Sequence, residues 1–69
     1  MIVSVFKTSI KEEDIGKINF VLKNAPTIHR WSFDLDDCDR ILRAESIVEV
    51  KEEVCQLMKC LDIWCEELT

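Results

Sequence analysis

Glycine, proline and long apolar runs are all scarce in this sequence. Among its 69 residues there is one glycine, one proline and no tyrosine, which excludes collagen-like, low-complexity and linker-like chains. No apolar run approaches the roughly 20 residues that a helix needs to cross a bilayer. The composition, 48% hydrophobic and 33% charged, predicts one soluble globular domain over residues 1–69.

Basic residues are also few, and they are dispersed. Nine Lys and Arg stand against 14 Asp and Glu, which gives a formal net charge of −5. Nucleic-acid phosphates and anionic lipid surfaces bind clustered Lys and Arg, so we expect neither nucleic acid nor a membrane as partner. The first residues lack the basic lead and the small-residue cleavage site of a signal peptide. The expected location is therefore the cytoplasm.

The first third of the chain predicts a strand followed by a helix. Residues 2–8 are rich in β-branched and aromatic side chains, which favours a strand. From Lys11 onward, acidic residues precede apolar residues at helical spacing, and Ser9 or Thr8 is the expected N-cap. The helix should end near Asn24, because Pro26 disfavours helical geometry in the residue before it.

The rest of the chain predicts a hairpin, a second helix and a closing strand. Trp31, Phe33 and Leu35 alternate with polar residues, as in a half-buried strand. The further expected elements are a turn at 36–39, a strand at 40–45, an amphipathic helix at 49–61 and an edge strand at 63–68. The order β-α-β-β-α-β predicts an α+β ferredoxin-like sandwich, a four-stranded antiparallel sheet with two helices on one face.

The apolar residues of the hairpin and of the closing strand follow a recognisable spacing. They are Ile28, Trp31, Phe33, Leu35, Leu42, Ala44 and the run Ile63-Trp64-Cys65. In this spacing the chain resembles heavy-metal-associated domains, the ferredoxin-like modules of copper chaperones and of metal-transporting ATPase tails. The likeness spans nearly the whole chain.

The resemblance implies a metal site in the loop after the first strand, where the family carries two cysteines separated by two residues and preceded by Met. Here that loop, residues 7–13, reads Lys-Thr-Ser-Ile-Lys-Glu-Glu and contains no cysteine. Cu(I) and Zn(II) sites of this type need thiolates, which the hydroxyls of Thr8 and Ser9 do not replace. The resemblance therefore implies the scaffold without the family's site, and we expect no cofactor.

The four cysteines leave two alternatives open. They are Cys38, Cys55, Cys60 and Cys65, and with no export signal we expect reduced thiols. The topology places Cys38 in the hairpin turn and Cys60 at the end of the second helix, at the same end of the sheet. A displaced Cu(I) or Zn(II) site is one interpretation. In the other, Cys65 is a core residue, Cys55 and Cys60 flank a helix, and Cys38 is an exposed turn thiol.

No constellation of residues predicts catalysis, and we expect the protein not to be an enzyme. His29, the one histidine, lies beside Arg30 without a Ser, Cys or carboxylate arrangement of the kind a triad needs. The acidic residues of the hairpin turn partly imitate a calcium loop, but Asp39 stands where that loop requires glycine. A solvated turn that attracts a basic partner is the expected role of this cluster.

An exposed apolar patch is the expected binding surface. Trp64 has the opposite strand parity to Ile63 and Cys65, so it should lie on the open face of the sheet and meet Ile41. Phe6 and Ile2 are further candidates, although Val3 and Val5 compete with them for the core face. The sequence thus predicts a non-enzymatic binding module for a protein partner or for self-association. The alternative is a heavy-metal carrier with a displaced cysteine site.

Overall fold

The computed structural model describes residues 1–36 and 38–68, and these contain four strands and two α-helices. The elements are β1 (Ile2–Thr8), α1 (Ile15–Lys23), β2 (Ile28–Asp34), β3 (Ile41–Ser46), α2 (Lys51–Cys60) and β4 (Cys65–Leu68), with a 3-10 turn at Glu12–Asp14 before α1. The predicted element order is confirmed, and the ends of β3, α2 and β4 differ from prediction by one or two residues. α1 begins at Ile15 rather than near Lys11 as predicted, because the residues between them form the 3-10 turn.

The strands form one antiparallel sheet in the order β2-β3-β1-β4. Each helix connects two strands that lie two places apart in the sheet, so β3 lies between β1 and β2, and β1 lies between β3 and β4. This is the split βαβ topology, and the predicted ferredoxin-like α+β class is confirmed. The two central strands, β1 and β3, are held by hydrogen bonds on both edges.

The core lies between one face of the sheet and the two helices. Phe6 pairs with Leu42 across β1 and β3, and Phe33 pairs with Leu42 across β2 and β3, so all three share the face toward the helices. Each helix adds buried residues four positions apart, which lie on one side of a helix: Ile18 and Leu22 from α1, Val54 and Met58 from α2. The core cluster includes all of these except Phe33, which packs against its edge.

Two of the residues predicted for the exposed patch are buried. Phe6 is 0% exposed and Ile41 is 7% exposed, so the prediction of an open surface at these positions was wrong. Phe6 is buried because its pairing with Leu42 turns it toward the helices. Ile41 lies on the opposite face, but it occupies a central strand between Lys7 and Asp34. Within β1, Ile2 and Val3 are exposed and Phe6 is the core residue.

The prediction that Ser9 or Thr8 caps the first helix was also wrong. The Thr8 hydroxyl accepts the Ile10 N–H at 3.1 Å, and the Ser9 hydroxyl accepts the Trp64 N–H at 2.8 Å. The turn before α1 is closed instead by Asp14, whose Oδ2 accepts the Lys11 N–H at 2.9 Å. Both hydroxyls therefore fix the loop after β1 rather than the start of the helix.

The carboxylate of Asp14 predicts an acid-sensitive component of stability. The Lys11 N–H, and then the Lys17 ammonium at 3.2 Å, hold its pKa below the ordinary 3.8. A carboxylate with a lowered pKa in the folded state stabilises fully above its ordinary pKa and loses that contribution as the pH falls through the lowered value. We expect the melting temperature of Asp14→Asn to fall less than that of the wild type between pH 5 and roughly pH 2.5.

Thermal melts across this pH range measure the effect. Asp36→Asn, which removes an exposed carboxylate of the hairpin, serves as the control and should follow the wild-type curve. Identical pH profiles for Asp14→Asn and the wild type would contradict the assignment.

Candidate functional site

The loop after β1 and the loop before β4 meet at one end of the sheet. The Ser9 N–H donates to the Trp64 carbonyl at 3.0 Å, and the Trp64 N–H donates to the Ser9 hydroxyl at 2.8 Å. This pair extends the ladder between β1 and β4 by one step, so alternation places Trp64 on the same face as Glu66 and Leu68. The predicted position of Trp64 on the open face is therefore consistent with the backbone.

The end of α2 is shaped by a left-handed residue. Asp62 has a φ of 61°, and its N–H donates to the Lys59 carbonyl at 3.0 Å while the Ile63 N–H donates to the Met58 carbonyl at 2.8 Å. These two bonds form a Schellman motif, which usually contains glycine at the position of Asp62. Ile63 is buried, as is Met58, and the motif turns the chain so that Trp64 emerges at the surface.

Two shallow cavities of about 350 and 390 Å³ lie where these loops meet. They share Ser9, Asp62 and Ile63. Trp64 and Lys59 complete the first, and the second is completed by Lys11, Glu13, Asp14, Lys17 and Leu61. Because the second cavity carries lysines and carboxylates together, its lining does not select a ligand of one charge.

Arg40 joins the hairpin to the loop in which the family resemblance implied a metal site. Its Nε donates to the Ile10 carbonyl at 2.7 Å, and its Nη1 donates to the Leu35 carbonyl at 2.9 Å. Its Nη2 lies 3.1 Å from a carboxylate oxygen of Glu12, and its own carbonyl accepts the Thr8 hydroxyl. The loop is thus held in place by one guanidinium. Sequence analysis missed this role, because Arg40 is a single arginine after an acidic turn and its partners are distant in sequence.

The four thiols fall into an exposed pair and a half-buried pair, and Cys55 and Cys65, the half-buried ones, pack against the core. Cys38 and Cys60, the two residues of the alternative metal site, are both exposed. Cys55 and Cys65 are half-buried, and their Sγ atoms lie 3.8 Å apart. In residues 1–36 and 38–68, no group of three or more His, Cys, Asp or Glu side chains is arranged to hold a metal ion.

The open face of the sheet, on the side away from the helices, carries an exposed apolar cluster. Val3 is 54% exposed, Leu68 is 42% exposed, and Val5 pairs with Leu68 across β1 and β4. We call Val3, Val5 and Leu68 the valine cluster. Isolated apolar side chains at a surface are ordinary, whereas neighbouring ones on two paired strands make a candidate for a contact surface.

Charges of both signs surround the valine cluster. The strand register places these charged side chains on the open face: the cations Lys7, Arg30 and Arg43, and the anions Asp34, Glu45 and Glu66. Asp39 of the hairpin adds a fourth anion, because its carboxylate lies 3.3 Å from the Lys7 ammonium. With Asp39 counted, the formal charge at this face is −1, whereas the whole chain carries −5.

Comparison with protein-family models, with curated proteins and with solved structures gives no match for this chain. No helix among the described residues is long and apolar enough to span a membrane.

Proposed function

We propose that this domain is a non-enzymatic protein-interaction module that associates with a second copy of itself through the open face of its sheet. We further propose that it shares the scaffold of heavy-metal-associated domains without their metal site. The observation that carries the interaction proposal is the valine cluster, exposed on two paired strands of a sheet whose other face is fully used by the core. The sheet order supports the proposed scaffold, and the cysteine-free loop after β1 supports the proposed loss of the family's metal site.

The balance of charge on the open face favours a second copy as the occupant. Two chains that each carry −5 repel one another at long range, so association needs a contact surface without excess charge. The open face carries a formal charge of only −1, and Arg30 and Arg43 can each lie opposite an anion of the other copy, while Lys7 is paired with Asp39 of its own chain. A strongly basic partner would instead be drawn to the acidic surface outside this face.

Substitutions on the open face are expected to weaken the dimer. Val3→Lys and Leu68→Lys insert a charge into the valine cluster, and each should raise the dimer dissociation constant roughly tenfold or more. Trp64→Ala should weaken association on the same face without unfolding the domain, because the backbone bonds between Trp64 and Ser9 are kept. Sedimentation velocity of reduced protein over a concentration series measures these constants.

Phe20→Lys is the matched control, because it makes the same change of charge at an exposed aromatic residue of α1. Its dimer should have the same dissociation constant as that of the wild type. If the wild-type protein stays monomeric up to millimolar concentration, the proposal of self-association is wrong. A tight one-metal adduct in the native mass spectrum with Cu(I) or Zn(II) would favour the metal-carrier alternative instead.

A further inference from the structure

Cys55 and Cys65 form an isolated pair of free thiols that joins α2 to β4. Their Sγ atoms lie 3.8 Å apart, and the Cys55 thiol also lies 3.9 Å from the Cys65 carbonyl oxygen. A disulfide bond is about 2.05 Å long, so closing it requires the two sulfur atoms to approach by less than roughly 2 Å. Both side chains are half-buried, which leaves the pair open to a small reagent.

We propose that Cys55 and Cys65 form an oxidisable dithiol, a modification site that takes a peroxide and closes to an intramolecular disulfide between α2 and β4. This pair is distinct from Cys38 and Cys60, the residues of the alternative metal site, which are both exposed. This inference does not depend on the proposed self-association, because both thiols belong to one chain.

The chemistry proceeds in two balanced steps. The Cys55 thiolate attacks one oxygen of hydrogen peroxide, the O–O bond breaks, and the departing hydroxide takes up the proton that Cys55 released, leaving a sulfenic acid and one water. The sulfur of Cys65 then attacks the sulfur of Cys55, the S–O bond breaks, and the hydroxyl leaves with the Cys65 proton as a second water. The two thiols lose two electrons and the peroxide gains them.

The two cysteines have different roles in this sequence of steps. Burial, and then the neighbouring Cys55, raise the pKa of the Cys65 thiol to about 12, so Cys65 stays protonated at neutral pH. Because the thiolate is the nucleophile, Cys55 is the residue that meets the peroxide first. Cys65 is the resolving thiol, which reacts once the sulfenic acid has formed beside it.

Oxidation would link β4, the shortest strand of the sheet, to α2 by a disulfide bond. β4 has four residues and lies at the edge of the sheet, where it pairs with β1. A covalent bond from Cys65 to Cys55 closes a short loop and restricts the unfolded chain, so the oxidised domain should melt roughly 10 °C or more above the reduced one.

The test uses a variant with Cys38→Ser and Cys60→Ser, which keeps only the proposed pair. Hydrogen peroxide is titrated into dilute protein, free thiols are then alkylated, and peptides are mapped by mass spectrometry. We expect a peptide pair linked through Cys55 and Cys65, two hydrogens lighter than the separate peptides, that dithiothreitol reverses. Links between two chains only, or complete alkylation of both thiols at every peroxide concentration, would overturn the proposal.

Two further variants in that background test the assigned roles. With Cys65→Ser, oxidation should stop at the Cys55 sulfenic acid, which dimedone traps. With Cys55→Ser, the remaining Cys65 should react with peroxide at least tenfold more slowly, since its burial still raises its pKa and disfavours the thiolate. Equal rates of dimedone labelling in the two variants would overturn the assignment of Cys55 as the attacking residue.

Discussion

Phe6→Ala is expected to lower the free energy of unfolding by about 3–5 kcal/mol, the usual cost of truncating a fully buried phenylalanine. Phe6 lies in a central strand, pairs with Leu42 and belongs to the core cluster with residues of both helices. The whole stability of a chain of this size is about 3–10 kcal/mol. The variant should therefore be partly or wholly unfolded at room temperature, as urea titration followed by circular dichroism would measure.

Phe20→Ala provides the control, because it removes the same side chain from a position that is 70% exposed. Its free energy of unfolding should stay within about 0.5 kcal/mol of the wild type. A Phe6→Ala protein as stable as Phe20→Ala would mean that β1 has the opposite parity, with Val3 and Val5 in the core.

Arg40→Ala is expected to lower the free energy of unfolding by about 2–3 kcal/mol. The substitution removes charge-assisted hydrogen bonds to the carbonyls of Ile10 and Leu35, so that the bonds of Thr8 to the backbone carbonyls of the hairpin are left to join it to the loop after β1. Arg40→Lys should recover only part of the loss, since an ammonium does not reproduce the forked geometry of a guanidinium. Urea titrations of both variants, at concentrations low enough to keep the protein monomeric, give the values.

Arg43→Ala is the matched control for Arg40, because it removes an arginine whose side chain lies exposed on the open face. Its stability as a monomer should be close to that of the wild type. Equal losses for Arg43→Ala and Arg40→Ala would show that the contacts of the Arg40 guanidinium with the loop do not hold it in place.

Local sequence pattern was sufficient for the order of the elements. Trp31 and Phe33 alternate with polar neighbours, and the structure places both against the core. Their parity was readable because only one face of β2 is apolar. The indole N–H of Trp31 also finds a partner at the edge of the core, the side-chain oxygen of Asn19 at 2.8 Å.

In β1 the sequence did not show which alternate residues face the core, because apolar residues occur on both faces of the strand. Val3 and Val5 are as apolar as Ile2 and Phe6, so either pair could face the core. Pairing with β3, in which Leu42 and Ala44 face the helices, decides which face of β1 is buried. The same applies to Ile41, which is covered through its place in a central strand. Contacts between residues far apart in sequence decide these positions, and a single sequence does not display them.

The contacts of the candidate site were the least predictable feature. Thr8 and Ser9 have hydroxyls suited to capping a helix, yet the Thr8 hydroxyl accepts a bond from Ile10 in the same loop and the Ser9 hydroxyl accepts one from Trp64, just before β4. Arg40 and the pair Cys55 and Cys65 acquire their partners only when the hairpin and β4 are in place. Spacing along the chain carries no signal for such contacts.

The position of β4 at the edge of the sheet bears on how this protein aggregates. β4 covers β1 from Val5 to Thr8, and four backbone pairings hold it there. Detachment of β4 would uncover the backbone edge of Val5 and Phe6, the end of an uncharged, mostly apolar run, Ile2 to Phe6, of the kind that pairs with strands of other molecules. Glu66 and Glu67, opposite Lys7 and Phe6, place two negative charges beside that edge, and charges in such a position oppose the pairing of strands between molecules.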